Sequence, residues 1–346
     1  MYINGVRSMA NIRTINEIKH IENADTIELA VIDGWQVIIR KGEYKVGDKG
    51  IYISIDSWVP TSLAPFLTKP GKYPKVFNGV EGERLRTIKL RGALSQGLLL
   101  PLEVLGKCGI SYAEMDEDLS EKLGIQKWEK EIPAQLRGTC RGNFPGDVPK
   151  TDEERIQNLT RHLQKWVDNE LLFEVTEKLD GSSMTCYLDL DWEFHVCSRN
   201  IDLKETIGNT FWDTANRLQI GRKMIDSGLI GYALQGELIG EGIQGNPYKL
   251  IGHDYRVYKV WDVKGGRYLT PPERIALVEY LGLMSVPVLH EEFKIPPGST
   301  IEDILKVAEG KSVLFNTERE GLVFKDTQSD LSWKAISNKF LLKMGE

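Results

Sequence analysis

At 346 residues, with 41 % hydrophobic and 27 % charged side chains, the sequence has an ordinary globular balance and room for two domains of roughly 100–200 residues each. No apolar run approaches the ~18 residues that span a bilayer, and Met1-Tyr-Ile-Asn-Gly-Val-Arg7 lacks the pattern of a secretory signal. The net charge of −6 excludes no partner, because residues 1–110 hold 15 Lys and Arg against 11 Asp and Glu while the remainder holds 29 against 39, and phosphates feel the local field.

The first ~110 residues read as short strands separated by turns. Thr26–Ile32 and Trp35–Arg40 are β-branched runs joined by Asp33-Gly34, a hairpin signal. Gly50–Ile55, Arg84–Leu90 and Gly97–Leu102 complete five strands, as in an OB-like barrel, a fold that often binds single-stranded nucleic acid. Arg84, Arg86, Lys89 and Arg91 alternate with apolar residues and form a candidate phosphate-contacting strand. Residues 111–165 read as a linker, with Glu114, Asp116, Glu117 and Asp118 followed by Pro133, Gly138, Pro145, Gly146 and Pro149, and a helix after Thr151.

From residue 166 to 346 strands alternate with helices. Leu172–Glu177, Met184–Leu190 and Trp192–Ser198 are strand-like, and Asn209–Ile225 has helical apolar spacing. Tyr232–Ile239 and Tyr255–Val263 return to strand. A helix opens at Thr270-Pro271, and Ser299-Thr-Ile-Glu302 looks like a capping box before a helix that stops at Gly310. Gly321–Lys325 and Ser332–Ile336 are the last strands. The four cysteines, Cys108, Cys140, Cys186 and Cys197, form no CxxC pair, so a reducing, cytoplasmic setting is expected rather than a zinc or disulfide framework.

The segment that carries chemistry is Glu177-Lys178-Leu179-Asp180-Gly181-Ser182-Ser183, between two expected strands. A lysine on such a turn can project its amine into a pocket, and desolvation or neighbouring cations must remove its proton before it acts as a nucleophile. Alone, Lys-x-Asp-Gly is a short pattern that also fits a hairpin with a surface lysine. Downstream, in order, come Ser198-Arg199-Asn200, Gly236-Glu237-Leu238-Ile239-Gly240, Tyr258-Lys259-Val260-Trp261-Asp262, Glu320-Gly321-Leu322-Val323-Phe324-Lys325 and Ser332-Trp333-Lys334.

That series resembles the motifs of the covalent nucleotidyltransferase superfamily of polynucleotide ligases and mRNA-capping enzymes. The resemblance implies that Lys178 takes an AMP from ATP and that Asp180 faces the ribose and metal waters. By the same resemblance Arg199 contacts ribose or phosphate, Tyr258 stacks on the base, and Glu177 helps read adenine. It further implies that Glu237 and Glu320, with Asp180, hold Mg²⁺ or Mn²⁺ through its waters, and that Lys325 and Lys334 neutralise phosphate. Gly181 permits the tight turn. The physical logic is that negative charge grows on phosphate oxygens and on departing pyrophosphate, and lysines and a divalent ion stabilise it.

Only 12 residues follow Lys334, too few for the C-terminal OB domain of DNA ligases and capping enzymes. Gly34-Trp35-Gln36-Val37, Gly42–Asp48 and Leu90–Gly97 instead resemble the N-terminal module of the fifth RNA ligase family. This implies an α+β protein, with an OB-like barrel in 1–110 and an adenylyltransferase domain with antiparallel sheets and flanking helices in 166–346. The expected activity is ATP-dependent joining of a 3′-OH RNA end to a 5′-phosphate end, at nicks, by a monomer. A DNA ligase, a guanylyltransferase or a non-catalytic RNA-binding protein are the alternatives. Ser332 departs from the pattern, since many superfamily members have a basic residue two before the last motif's lysine.

Overall fold

The computed structural model describes residues 2–3, 6–129 and 139–345, so Pro133 and Gly138 lie outside the described residues. The chain divides into two compact units. One holds Met1–Lys130, Glu154–Leu163 and Leu341–Glu346, and the other Glu131–Glu153 and Gln164–Phe340. No helix among the described residues is long and apolar enough to cross a membrane.

The first unit is built from short antiparallel strands. Ile27–Ile32 and Trp35–Arg40 form the expected hairpin, with Ile32 opposite Trp35 and Asp33 in the left-handed conformation (φ 51°) that a two-residue turn demands. Glu17–His20 adds a third strand to it. Lys49–Ile53 runs between Ala10–Thr14 and Leu98–Leu100 and is covered on both faces. Ile51 and Ile53 pack with Ile12, Val59, Leu85 and Leu100, whereas Tyr52 joins Ile32, Trp35 and Val37.

The basic run departs from expectation. Arg84–Leu90 is not one strand; Val80–Arg84 and Ile88–Leu90 lie in different sheets. Between them Leu85 is drawn into the core, where its N–H donates to the Ser57 carbonyl (2.8 Å) and its carbonyl accepts from the Asp56 N–H (2.9 Å). Arg84 pairs with Asp56 at 2.6 Å and lies 3.7 Å over the Trp128 ring, so its charge serves the fold. Arg86, Lys89 and Arg91 are exposed.

The second unit contains two sheets, antiparallel except where Met284–Ser285 pairs in parallel with His253–Asp262. In the larger, Cys140–Asn143, Ile201–Leu203, Phe194–Cys197, Ser182–Leu188, Tyr232–Gly240, His253–Asp262 and Arg267–Tyr268 are neighbours in that order. Period-two alternation gives its central strands two characters. Met184, Cys186, Leu188, Leu234 and Leu238 are buried with Phe211, Trp212, Ala215, Ile220 and Met224 of the covering helices, while Ser183, Gln235 and Glu237 take the other face. In the smaller sheet Ser332–Ile336, Gly321–Asp326, Leu172–Lys178 and Val288–Lys294 are neighbours in that order. One face is aromatic: Phe324 and Trp333 stack at 3.9 Å, Trp333 and Trp166 at 5.6 Å, and Phe173 meets both Phe324 and Trp333 edge-on.

The helices differ from the sequence pattern in detail. The expected Asn209–Ile225 helix is two, Thr210–Arg217 and Ile220–Asp226, broken where Gln219 adopts φ 55°. Asn209 caps the first by accepting from the N–H groups of Phe211 and Trp212. The cap expected at Ser299 belongs to Thr300, whose reciprocal partner is Asp303, and the helix is Ile301–Ala308. Residues 139–153, expected within a solvated linker, belong to the second unit. Cys140–Asn143 pairs with Ile201–Leu203, and the Pro149 carbonyl accepts from buried Gln235 at 2.7 Å.

Candidate active site

Lys178 is the last residue of its strand and lies opposite Gly321, the residue after Glu320. Directly opposed residues share a face of an antiparallel sheet. The pairs Lys178–Gly321, Thr176–Val323–Lys334 and Glu174–Lys325–Ser332 therefore put Lys178, Lys325 and Lys334 on the face opposite the aromatic core. Glu177 points the other way. Its carboxylate is buried and accepts from the Val313 N–H at 2.9 Å, bracing that segment from the face away from Lys178.

The Lys178 Nζ lies 2.7 Å from Glu320 Oε2. Burial opposes the charge on this amine, but Glu320, Glu237 and Asp180 around it outweigh burial and hold its pKa above the ordinary lysine value. At Glu237, by contrast, burial dominates, pushing its carboxyl up to about 8 against the pull of Lys178, with Glu320 and Asp180 adding to the rise. Three carboxylates thus act on one ammonium, Glu320 in contact and Glu237 and Asp180 through their charge. An all-oxygen donor set of this charge fits a hard divalent cation such as Mg²⁺ or Mn²⁺.

Gly181 brings Glu237 into this group. A Cβ at residue 181 would lie 2.5 Å from the Leu238 carbonyl oxygen and 2.7 Å from Glu237 Cγ. The requirement is close approach between the turn and the Tyr232–Gly240 strand. Asp180 is held alongside, its N–H donating to the buried Tyr248 hydroxyl at 2.7 Å. Gly181→Ala is expected to destabilise the protein by about 1–3 kcal/mol through overpacking. Urea unfolding measures this, and an unchanged midpoint would show that the strand yields without cost.

Tyr258 owes its direction to a bulge. Gln235 opposes Lys259 and Gly236 opposes Val257, so Tyr258 is the extra residue between two pairs. Its hydroxyl meets Thr151 Oγ1 at 2.9 Å and Ser183 Oγ at 3.3 Å, and its ring packs near Leu179 and Ile239. The bulged carbonyl accepts from Lys325 Nζ (2.7 Å) and Arg274 Nη1 (3.1 Å). Arg274 also donates both terminal nitrogens to Glu174, at 2.6 and 2.9 Å, in a fully buried pair. Burial first, and then Arg274, draws the Lys325 pKa down to about 7, with Glu174 opposing. Lys325, which the motif resemblance assigns to phosphate, thus donates to the Tyr258 backbone carbonyl.

Ser332 stands in a second network. Lys259 Nζ lies 2.8 Å from Ser332 Oγ and 2.6 Å from Glu153, which also accepts from the Ser332 hydroxyl. Positive charge beside Ser332 therefore comes from the neighbouring sheet. Arg199 Nη2 contacts both oxygens of Asp152 at 2.5 and 2.8 Å. Thr151, Asp152 and Glu153 thus reach four candidate or neighbouring residues of the site, Tyr258, Arg199, Lys259 and Ser332. Sequence reasoning passed over them because their signal was that of a loop, and passed over Tyr248, Arg274 and Lys259 because each is an ordinary strand, loop or helix residue until the bulge is seen.

A family model described as RNA ligase matches residues 172–343, and one described as an OB-fold domain matches residues 9–102. No curated protein matches. Among solved structures, a mutant of Naegleria gruberi RNA ligase without ligand is 41 % identical, with 98 % of this chain and 99 % of that chain covered and a TM-score of 0.90. A mutant of the same ligase with AMP and Mn is 42 % identical over 97 % and 99 % of the two chains, TM-score 0.89. The same ligase with PPi is 42 % identical over 98 % and 99 %, TM-score 0.89, and a further mutant was solved with ATP and Mn. This chain belongs to the RNA ligase family. The RNA ligase is an α+β protein with an OB-fold domain ahead of its ligase domain, and it is an ATP-dependent enzyme acting on RNA.

Proposed function

We propose that this RNA ligase seals 3′-OH RNA ends to 5′-phosphate ends at nicks in duplexes, carrying AMP first on Lys178 and then on the RNA 5′ end. The observation that supports this reading is the setting of Lys178: an amine ending a strand, on one face with Lys334, ringed by Asp180, Glu237 and Glu320. In the first step Lys178 Nζ gives up its proton and attacks the α-phosphorus of ATP. A P–N bond forms, the bond to the β-phosphate breaks, and pyrophosphate leaves. Next an oxygen of the RNA 5′-phosphate displaces Lys178 from the AMP. Finally the 3′-OH loses its proton, attacks that 5′-phosphate and expels AMP, leaving a phosphodiester.

ATP and Mn²⁺ or Mg²⁺ are the cofactors we assign, in line with relatives solved with ATP and Mn. Asp180, Glu237 and Glu320 would hold the cation, directly or through its waters. When bound it neutralises charge on the triphosphate and competes with the Lys178 ammonium for those carboxylates. Lys334 we assign to phosphate, Arg199 to ribose or phosphate and Tyr258 to the base. Lys325 and Arg274 act through Tyr258 by tethering its carbonyl. Residues 9–102, the OB-fold match, are read as the RNA-binding module.

The discriminating test is a pair of nicked duplexes that differ only in the last sugar on the 3′-OH side. A terminal 2′-OH donates and accepts hydrogen bonds and favours A-form geometry, and a site built around it leaves polar groups unpaired when it is missing. Sealing of the RNA-ended nick is expected to be faster by at least ~10²-fold. Equal rates would remove the nick-end specificity proposed here and leave the Lys178 chemistry standing.

A further inference from the structure

The first unit carries a surface outside the expected basic run. From Ser57 to Val80 the sequence has three lysines, Lys69, Lys72 and Lys75, and no acidic residue. All three are exposed, and among the described residues none is in an ion pair. Apolar side chains interleave with them in the open. Tyr73 is 93 % exposed, Val76 65 % and Phe66 63 %.

This stretch is anchored at one end and open at the other. Lys75–Phe77 pairs with Val80–Arg84, and Phe77 packs its ring against Trp58 (5.4 Å) and Trp128 (6.4 Å). Ahead of that strand the chain turns at Gly71, with the Lys72 N–H donating to the Lys69 carbonyl at 3.0 Å, while Pro70 and Pro74 limit its freedom on either side. An aromatic ring left almost wholly in water beside unpaired ammonium groups has no folding role. Phosphates attract such cations, and every nucleobase offers a face to such a ring.

We propose that Lys69, Lys72, Tyr73 and Lys75 form an RNA-contact surface, the lysines on backbone phosphates and the Tyr73 ring on a base exposed at a strand break. The inference deepens the proposed nick-sealing function and rests on it for the substrate. An acidic protein surface would suit the lysines but gives the bare ring no particular partner.

Full-length protein is compared with Lys69→Ala/Lys72→Ala/Lys75→Ala and with Tyr73→Ala by fluorescence anisotropy on a nicked RNA duplex across a salt series. Transfer of α-labelled AMP to the protein, which needs no RNA, monitors folding of each variant. The triple variant is expected to lower the slope of log K against log[salt] by about 2–3 and to bind at least ~10-fold more weakly at low salt. Tyr73→Ala is expected to weaken binding ~10-fold with the slope unchanged. Wild-type affinity and slope in the triple variant would overturn the proposal and leave the surface to a protein partner. Binding by wild-type protein without sealing would instead refute the proposed function, and the slope comparison would still decide the surface.

Discussion

Lys178→Ala protein is expected to take up no label from ATP carrying label in its α-phosphate, and to seal no RNA. Lys178 is the amine whose charge Glu320, Glu237 and Asp180 all favour, with Glu320 in contact at 2.7 Å. Lys334 shares its face but sits two strands away, opposite Val323. Lys325 is tied to the Tyr258 carbonyl, and Lys259 to Glu153 and Ser332. Each of the other lysines near the site is thus displaced or engaged elsewhere. Lys178→Arg is expected to be equally inactive, because a guanidinium keeps its proton and offers no free lone pair near neutral pH. Both losses should exceed the sensitivity of gel labelling, with the melting temperature recorded to separate lost chemistry from lost folding. Covalent AMP at near wild-type yield in Lys178→Ala would sink the nucleophile assignment.

The sequence marked the candidate residues more plainly than the contacts that position them. Lys178, Asp180, Glu237 and Glu320 lie in short motifs of fixed order, and strand pairing does bring them together. The hairpin at Asp33-Gly34 was legible because a two-residue turn constrains both residues locally. Tyr258 was legible as an aromatic in a strand, but its bulge was not, because a bulge is a mismatch between two strands and no single strand records it. The contacts of Lys325 were hidden for the same reason. Its partners, Glu174 and the Tyr258 carbonyl, come from two other strands. Arg84 looked like one of four equivalent cations until Leu85 turned inward and left it beside Asp56 and Trp128. Residues 139–153 have the proline and glycine content of a linker, yet their partners are distant in sequence and polar, which hydrophobic periodicity cannot register.

Glu320→Ala and Glu237→Ala are each expected to slow RNA sealing and Lys178 labelling by ~10²–10³-fold at saturating ATP and Mn²⁺, the usual loss for one electrostatic stabiliser in an enclosed site. The two residues come from different sheets, Glu320 at the edge of the Gly321–Asp326 strand and Glu237 within Tyr232–Gly240. A cation held between them therefore depends on both. Glu320 has a second role open to it, since it is also the ion partner of Lys178 at 2.7 Å. Conservative variants separate the roles. Glu320→Asp keeps a carboxylate but draws it back by one methylene. If Glu320 holds the metal, this variant should need more Mn²⁺ for half-maximal rate and recover at high Mn²⁺. If Glu320 only orients the Lys178 amine, added Mn²⁺ should restore nothing. Glu320→Gln, which keeps the size and loses the charge, should stay slow in either case. An alanine variant retaining more than about a third of the wild-type rate at saturating Mn²⁺ would lack the transition-state loss that removing a metal-holding carboxylate must produce. That residue would then be removed from the metal site, and Asp180 with the remaining glutamate would have to carry the cation.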